Sequence, residues 1–286
     1  MNWTAPWATA IMVCTTVVGC TTQPTGVVRA ADAVDQKSSS ATGDVRADNP
    51  NKEIRRRHGD LSAYEVIINP SVSLLTKDDD TLSVEPLSEY DLPFMREVLQ
   101  SSLAAYPENL VRESLTLVVC VSSAKLHGAH IGGTWAPAPD RIIIARNGNA
   151  RGARTKKQLE ASIHHEFATL LLYRNQSSFS AERWIEFLPL GYRYPEFSVA
   201  LLADPEYEAR SSQEWAKRGF VTGYAQSSIG NDIAETITYM MMGVPWLWDA
   251  YDKHPRIAGK VNLLVDWLHG VDSTLTLEYI RGLASR

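Results

Sequence analysis

The sequence has few cysteines, and their scarcity excludes two classes of small protein. Only Cys14, Cys20 and Cys120 occur among the 286 residues, and Cys14 falls in an apolar N-terminal segment. So small a number builds neither a disulfide framework nor a cysteine-rich zinc module. No internal repeat is present, and the balance of 44% hydrophobic and 21% charged residues is that of a globular protein. Collagen, a coiled-coil array and a wholly disordered chain are therefore excluded.

The 28 positively charged residues are outnumbered by 33 negatively charged ones. The formal net charge is −5, and the one basic cluster, Arg55–Arg57, lies in a polar stretch. Such runs are usually solvated, so we expect no nucleic-acid partner. A phosphate-binding loop is missing as well, because the stretch from Gly128 to Gly133 lacks the Lys-Ser/Thr ending that such a loop requires.

The N-terminal segment, residues 3–19, is uncharged and mostly apolar or small. It is too short and too rich in threonine for a membrane span, and it predicts an export signal. It closes with Val-Val-Gly-Cys at residues 17–20, which resembles the lipobox of bacterial lipoproteins. The resemblance implies a signal peptide over residues 1–19 and a lipid on Cys20 that anchors the exported chain to the membrane at the cell envelope. Because Thr21 rather than Asp follows, it also implies the outer membrane where the cell has one.

The chain after the signal divides into a tether and a folded domain. Residues 20–60 are mostly small or polar and contain too few large apolar residues to bury a core, so they predict a flexible tether. The folded domain is predicted over residues 61–286.

The alternative to a lipoprotein is an ordinary cleaved signal in which Cys20 has no role. The first basic residue is Arg29, so the positive region that usually begins such signals is missing.

Apart from one predicted helix over residues 88–105, strand patterns precede helix patterns along the folded domain. The predicted strands are residues 65–68, 115–121, 131–135 and 141–145. The predicted helices are residues 88–105, 155–173 and 231–242, with one or two more in 244–270 and a break at His254-Pro255. This order indicates an α+β fold rather than a βαβ repeat. We expect a small mixed or antiparallel sheet, then a helix that carries the active site, then a C-terminal helical subdomain.

The predicted helix over residues 155–173 contains a His-Glu pair. Its apolar residues recur at helical spacing and form one stripe: Leu159, Ile163, Phe167 and Leu170. His165 points almost opposite to this stripe, with Thr169 one turn further on beside it. In the metalloprotease pattern H-E-x-x-H, two histidines four residues apart bind zinc and the glutamate is the general base. Here Thr169 stands at the second histidine position, and an isolated His-Glu pair is more often a solvated polar face.

A second motif lies downstream of this helix. Residues 219–228, Gly-Phe-Val-Thr-Gly-Tyr-Ala-Gln-Ser-Ser, lead into Asn-Asp-Ile-Ala-Glu at 231–235. Together with the His-Glu helix, this segment resembles the zinc-binding metallopeptidases of bacterial lipoproteins, which are zincins with a downstream glutamate ligand. The catalytic domain of anthrax lethal factor is a more distant relative. The resemblance covers roughly residues 115–285 and implies a zincin-like fold and a zinc cofactor.

The resemblance also implies a role for each residue that matches the family pattern. His165 and Glu235 are expected to be zinc ligands, and Glu166 the general base. Tyr224 is expected to stabilise the oxyanion of the tetrahedral intermediate. Asp232 is expected to support the site from behind the ligands or to cap its helix.

The threonine at position 169 leaves three alternatives for the metal. A histidine from elsewhere completes the ligand set, and the candidates are His164, by distortion of the helix, and His127 or His130 from the loop after the strand. Otherwise the two remaining ligands and waters bind the metal weakly, or the site is degenerate. The sequence thus predicts a zinc metallopeptidase that cleaves peptides or proteins at the cell envelope. The alternatives are an envelope lipoprotein that binds a peptide, protein or glycan without cleaving it, and a structural lipoprotein without a site.

Overall fold

The computed structural model of the protein describes residues 65–67, 82–137, 140–149, 152–195 and 210–285. The predicted signal peptide, the Cys20 anchor and the tether lie outside these residues. Within the described ranges, no helix is both long enough and apolar enough to cross a membrane.

Most of the described strands belong to one mixed sheet. The strands are β1 (Glu65–Ile67), β2 (Leu82–Pro86), β3 (Leu117–Leu126), β4 (Ala129–Ile131), β5 (Gly133–Pro137), β6 (Asp140–Ala145), β7 (Asn147–Asn149) and β8 (Gly152–Ala153). The main path is β1-β3-β6-β5, in which β1 and β6 run parallel to β3, and β5 runs antiparallel to β6. β2 and β4 pair antiparallel with β3, and β7 pairs with β8 in a separate ribbon.

The central strands β3 and β6 are apolar on both faces, as strands covered on both sides must be. One face contributes Val118, Cys120, Ile142 and Ile144 to the large hydrophobic core. The other contributes Val119, Val121 and Ile143 to a smaller cluster. The continuous apolar run around Cys120 thus forms the buried strand that the sequence predicts.

The described helices confirm the α+β class, and five of the nine fall in the stretches predicted to be helical. They are α1 (Leu92–Leu103), α2 (Glu108–Ser114), α3 (Lys156–Arg174), α4 (Ala181–Ile185), α5 (Gln213–Arg218), α6 (Ile229–Met241), α7 (Pro245–Lys253), α8 (Pro255–Val271) and α9 (Leu277–Gly282). The predicted break at His254-Pro255 separates α7 from α8, because the residue before a proline is disfavoured in the helical conformation.

Helix α3 runs through the centre of the domain. A capping box starts it, in which Thr155 accepts from the Gln158 backbone and the Gln158 side chain accepts from the Thr155 backbone. The helix packs on β5 and β6 at one side and on α1 and α6 at others. The apolar stripe is therefore buried, and so are His165, Glu166 and Thr169, so the expectation of a solvated polar face around the His-Glu pair is wrong.

Helix α6 begins two residues before the predicted start at Asn231. Ser228 is the N-cap, and its hydroxyl accepts a hydrogen bond from the Asn231 backbone at 3.1 Å. Both residue types cap helices well, so the sequence alone does not decide between them. The Asn231 side chain donates instead to the Ser227 hydroxyl at 2.8 Å.

Candidate active site

His165 and Glu235 meet in the interior of the domain. His165 lies near the middle of α3 and Glu235 near the middle of α6, and the two helices pack against each other. The His165 Nδ1 and the Glu235 Oε1 are 2.9 Å apart. Both residues are buried, with exposed fractions of 3% and 7%. The structure thus joins the two sequence motifs in one direct contact.

The second oxygen of Glu235 is held by the preceding segment, residues 219–227, here called the 219–227 loop. The Thr222 hydroxyl donates to Glu235 Oε2 at 2.9 Å and accepts from the Ala225 backbone at 3.0 Å. One carboxylate oxygen therefore faces the imidazole of His165 while the other is fixed by a neutral donor.

Glu166 lies beside strand β5. Its side chain is 1% exposed, and a Cβ atom added to Gly133 would lie 3.0 Å from its Cγ and 3.1 Å from its Oε1. Only a glycine at position 133 allows this approach without a shift. The strand thus places its backbone directly against the predicted general base.

The charges around His165 raise the pKa of its imidazole. Burial alone would lower the pKa, but the hydrogen bond to Glu235 and the negative charges of Glu166 and Glu235 outweigh that effect. The side chain of Asn231 raises the pKa of His165 further through a hydrogen bond. The site therefore favours a positive charge at the imidazole.

Thr169 lies one turn from His165, as the helical spacing predicts. It is buried, and its hydroxyl donates to the His165 backbone carbonyl at 2.9 Å, a common habit of threonine in helices. A hydroxyl is a poor zinc ligand in any case. Among the residues that the structure describes, no group of three or more His, Cys, Asp or Glu side chains is arranged to hold a metal.

The other histidine candidates do not join the His165–Glu235 pair. His164 contacts the phenol of Tyr106 at 3.1 Å within the core, and burial lowers its pKa to about 3. His127 and His130 lie in and after the turn between β3 and β4, where His127 adopts a positive φ of 48°. Their predicted role as ligands has no contact in the described structure to support it.

Tyr224 lies in the 219–227 loop close to the site. Its ring centroid is 5.9 Å from that of His165, at an interplanar angle of 40°. The aromatic ring thus packs beside the imidazole, and its role at an oxyanion stays a prediction.

Asp232 belongs to a second buried cluster, one turn before Glu235 on α6. Its Oδ2 accepts from Lys260 Nζ at 2.5 Å, from the Tyr194 phenol at 2.6 Å and from the Trp184 indole at 3.1 Å. Burial raises the pKa of the Asp232 carboxyl and lowers that of the Lys260 ammonium, although each charge opposes the shift of the other.

Sequence analysis missed Thr222 and Lys260. Thr222 carries no strong local signal, because threonine is common in loops. Lys260 does carry one, since it falls on the apolar stripe of α8 between Ile257 and Leu264, where a solvated lysine is not expected.

Comparison with known proteins finds similarity to one family model and to one solved structure. Residues 145–262 match the model of a family described as "putative zinc-binding metallo-peptidase". A crystal structure of a "putative zinc-binding metallo-peptidase" from Bacteroides caccae is 16% identical with a TM-score of 0.47, and the alignment covers 78% of this chain and 84% of that chain. No curated protein matches the chain. The matched stretch contains α3, the 219–227 loop and α6, and thus both motifs.

Proposed function

We propose that the protein is a zinc-dependent metallopeptidase in which His165 and Glu235 hold the metal and Glu166 is the general base. The observation that carries this proposal is the buried contact between His165 and Glu235 at 2.9 Å. The two residues are 70 positions apart in the sequence, and both lie in the stretch that matches the family model. A shared function is a direct reason for two such motifs to converge.

The two donors suit a zinc ion. Zinc in proteins takes imidazole nitrogen and carboxylate oxygen ligands, each at about 2 Å. The two atoms share a hydrogen bond at 2.9 Å, so the side chains converge on one point, and the negative charge at Glu235 favours a cation. A zinc ion bound by both would replace the proton between them and move the two atoms slightly apart. In this proposal His165 and Glu235 would hold the ion, and Thr169 would not contribute a ligand.

The residues around this pair can carry out peptide hydrolysis. When bound, zinc supplies a Lewis acid for the scissile carbonyl and lowers the pKa of a water. Glu166, held against Gly133, accepts the proton of the attacking water and returns it to the leaving amine. Tyr224 lies beside His165, where its phenol can stabilise the oxyanion.

The substrate in this proposal is a peptide or protein at the cell envelope. The support for the location is the sequence of residues 3–20 alone, which predicts an export signal and a lipid anchor on Cys20. Radiolabelled palmitate incorporation that is lost in Cys20→Ser would support the anchor, and incorporation into neither protein would remove it from the proposal.

Zinc content tests the metal site. The wild type should hold close to one zinc per chain by mass spectrometry after supply of zinc and removal of the excess. His165→Ala and Glu235→Ala should each lose it, because one remaining ligand cannot hold the ion. His164→Ala is the matched control, since the neighbouring histidine contacts Tyr106, and it should keep zinc. A wild type without zinc would contradict the proposal and favour a non-catalytic binding protein.

Peptide cleavage tests the chemistry separately from the metal. Glu166→Gln removes the base but neither ligand, so it should keep zinc and lose hydrolysis of a mixed peptide library. Removal of a catalytic base typically costs about 100- to 10,000-fold in rate. Equal cleavage by wild type and Glu166→Gln would show that Glu166 is not the base.

A further inference from the structure

Lys260 connects α8 to two parts of the site at once. Its Nζ donates to Asp232 Oδ2 at 2.5 Å and to the Gly219 backbone carbonyl at 2.6 Å. It also lies over two aromatic rings, 4.4 Å from the centroid of Phe220 and 5.0 Å from that of Trp184. Both Lys260 and Asp232 are fully buried. One ammonium thus binds the start of α6 and the start of the 219–227 loop together.

The backbone conformation at Gly219 brings the carbonyl of this residue to Lys260. Gly219 ends α5 in the left-handed conformation, with φ of 89°, which favours glycine. A Cβ atom there would lie 2.9 Å from Arg256 Cβ on α8, so the backbone approaches that helix more closely than another residue would allow. The position of the loop therefore depends on contact with α8.

The contacts form a closed ring through the site. Lys260 binds Asp232, and Glu235 follows Asp232 one turn later on α6. Glu235 accepts a hydrogen bond from Thr222 in the 219–227 loop, and Gly219 at the start of that loop accepts one from Lys260. The Lys260 contacts fix where the loop lies relative to α6. That position decides whether the Thr222 hydroxyl reaches Glu235 Oε2.

A purely stabilising role does not explain this pair well. A buried ion pair gains little net stability over well-packed apolar residues of similar size, because both charges lose their hydration. The pair does, however, demand one geometry, since the ammonium must meet a carboxylate and a carbonyl simultaneously. The contacts of Lys260 therefore fix the relative positions of α8, which carries the lysine, α6, which carries the carboxylate, and the loop that carries the carbonyl.

We propose that Lys260 is a positioning residue for the active site, which holds the 219–227 loop against α6 and so orients Glu235 toward His165. The predicted effect of Lys260 on zinc binding rests on the proposed function. Its structural consequence, the orientation of Glu235 against His165, does not require a metal.

The test uses the double variant Asp232→Asn/Lys260→Met in the full chain. Removing both charges avoids leaving one buried and unpaired, so this variant should fold, whereas a single substitution risks unfolding. The Gly219 carbonyl nonetheless loses its donor. Leu268→Ala is the matched control, because Leu268 is fully buried two turns further along α8 and belongs to the hydrophobic core.

Two readouts are measured on wild type, double variant and control. The ring nitrogen and proton NMR signals of His165, without metal, report its hydrogen bond to Glu235. The zinc dissociation constant, from competition with a chelator, reports the loaded site. The double variant should shift the His165 signals and weaken zinc binding roughly 10- to 100-fold, as loss of support behind a ligand commonly does. Leu268→Ala should change neither readout while lowering the melting temperature.

The outcomes separate the two proposals. If the double variant has the same His165 signals and the same zinc affinity as the wild type, the positioning role is overturned. It is also overturned if Leu268→Ala changes both readouts as much as the double variant does. If the wild type binds no zinc, the proposed function fails, and the His165 signals alone decide the role of Lys260.

Discussion

Two buried carboxylates on α6, one turn apart, have partners of different chemistry. Asp232 meets the Lys260 ammonium together with a phenol and an indole, so its charge is matched by a cation built into the chain. Glu235 meets the His165 imidazole and the Thr222 hydroxyl. The lysine contributes an ammonium that meets the carboxylate directly, whereas an imidazole can exchange its proton for a metal. Asp232 thus has a cationic partner within the chain, and Glu235 has a partner of a type that can also bind a metal ion.

The largest expected effect comes from breaking the fixed pair. Lys260→Met alone leaves the Asp232 carboxylate buried without its cation, which should lower the free energy of unfolding by about 3–5 kcal/mol. Urea denaturation measures it. Glu235→Gln, which keeps the size and a hydrogen-bonding group, should cost much less. Equal losses in the two variants would remove the distinction between the clusters.

The next effect comes from completing the metal site. Thr169→His places an imidazole one turn from His165, at the position of the second histidine in the pattern H-E-x-x-H. Zinc should bind roughly 10- to 100-fold more tightly, since a direct ligand should matter at least as much as the groups that support one. Isothermal titration calorimetry measures the affinity. An unchanged affinity would show that the pair does not form half of a zinc site.

A smaller effect tests the packing of Glu166. Gly133→Ala puts a Cβ about 3 Å from Glu166 Cγ and from the Ile143 carbonyl, so it should destabilise the fold by about 1–3 kcal/mol. Gly270→Ala is the control, because an added Cβ there meets nothing within 4 Å. Thermal unfolding compares them. Equal melting temperatures would contradict the close approach of β5 to the predicted base.

The smallest effect is a dependence of stability on pH that comes from His164, the neighbour of His165. Burial lowers the pKa of His164 to about 3, below the ordinary 6.5 of the unfolded chain. The unfolded state therefore binds more protons between these values, and His164 costs stability as the pH falls below 6.5, at most about 1.4 kcal/mol per pH unit. His164→Gln should lack this contribution. Denaturation of both proteins at pH 7 and pH 5 measures the free energy of unfolding. If the difference in this free energy between wild type and His164→Gln is the same at both pH values, His164 is not buried as a neutral group.

The sequence predicts the fold well where its patterns are local. The apolar run of β3, the predicted strands that overlap β5 and β6, and the break before Pro255 each follow from a few neighbouring residues. The buried polar face of α3 does not, because it depends on α6 and the sheet covering the helix from both sides. Helix periodicity identifies the directions in which side chains point but not what lies there.

The candidate site shows the same division. The family resemblance implies that His165 and Glu235 act together, and the contact between them becomes visible only once α3 and α6 pack together. The bond from Thr222 to Glu235 could not be read from the chain, because it depends on the shape of the 219–227 loop. Lys260 is intermediate: its place in an apolar stripe marks it as unusual, while its partners emerge only in three dimensions.

The most direct test of the account is the position of zinc in a crystal. Crystals grown with zinc and measured on both sides of the zinc absorption edge should show one anomalous peak about 2 Å from a ring nitrogen of His165 and from a carboxylate oxygen of Glu235. Crystals of Glu235→Ala should lack it. No peak in the wild type, or a peak only at other residues, would contradict the claim that this buried pair is a metal centre.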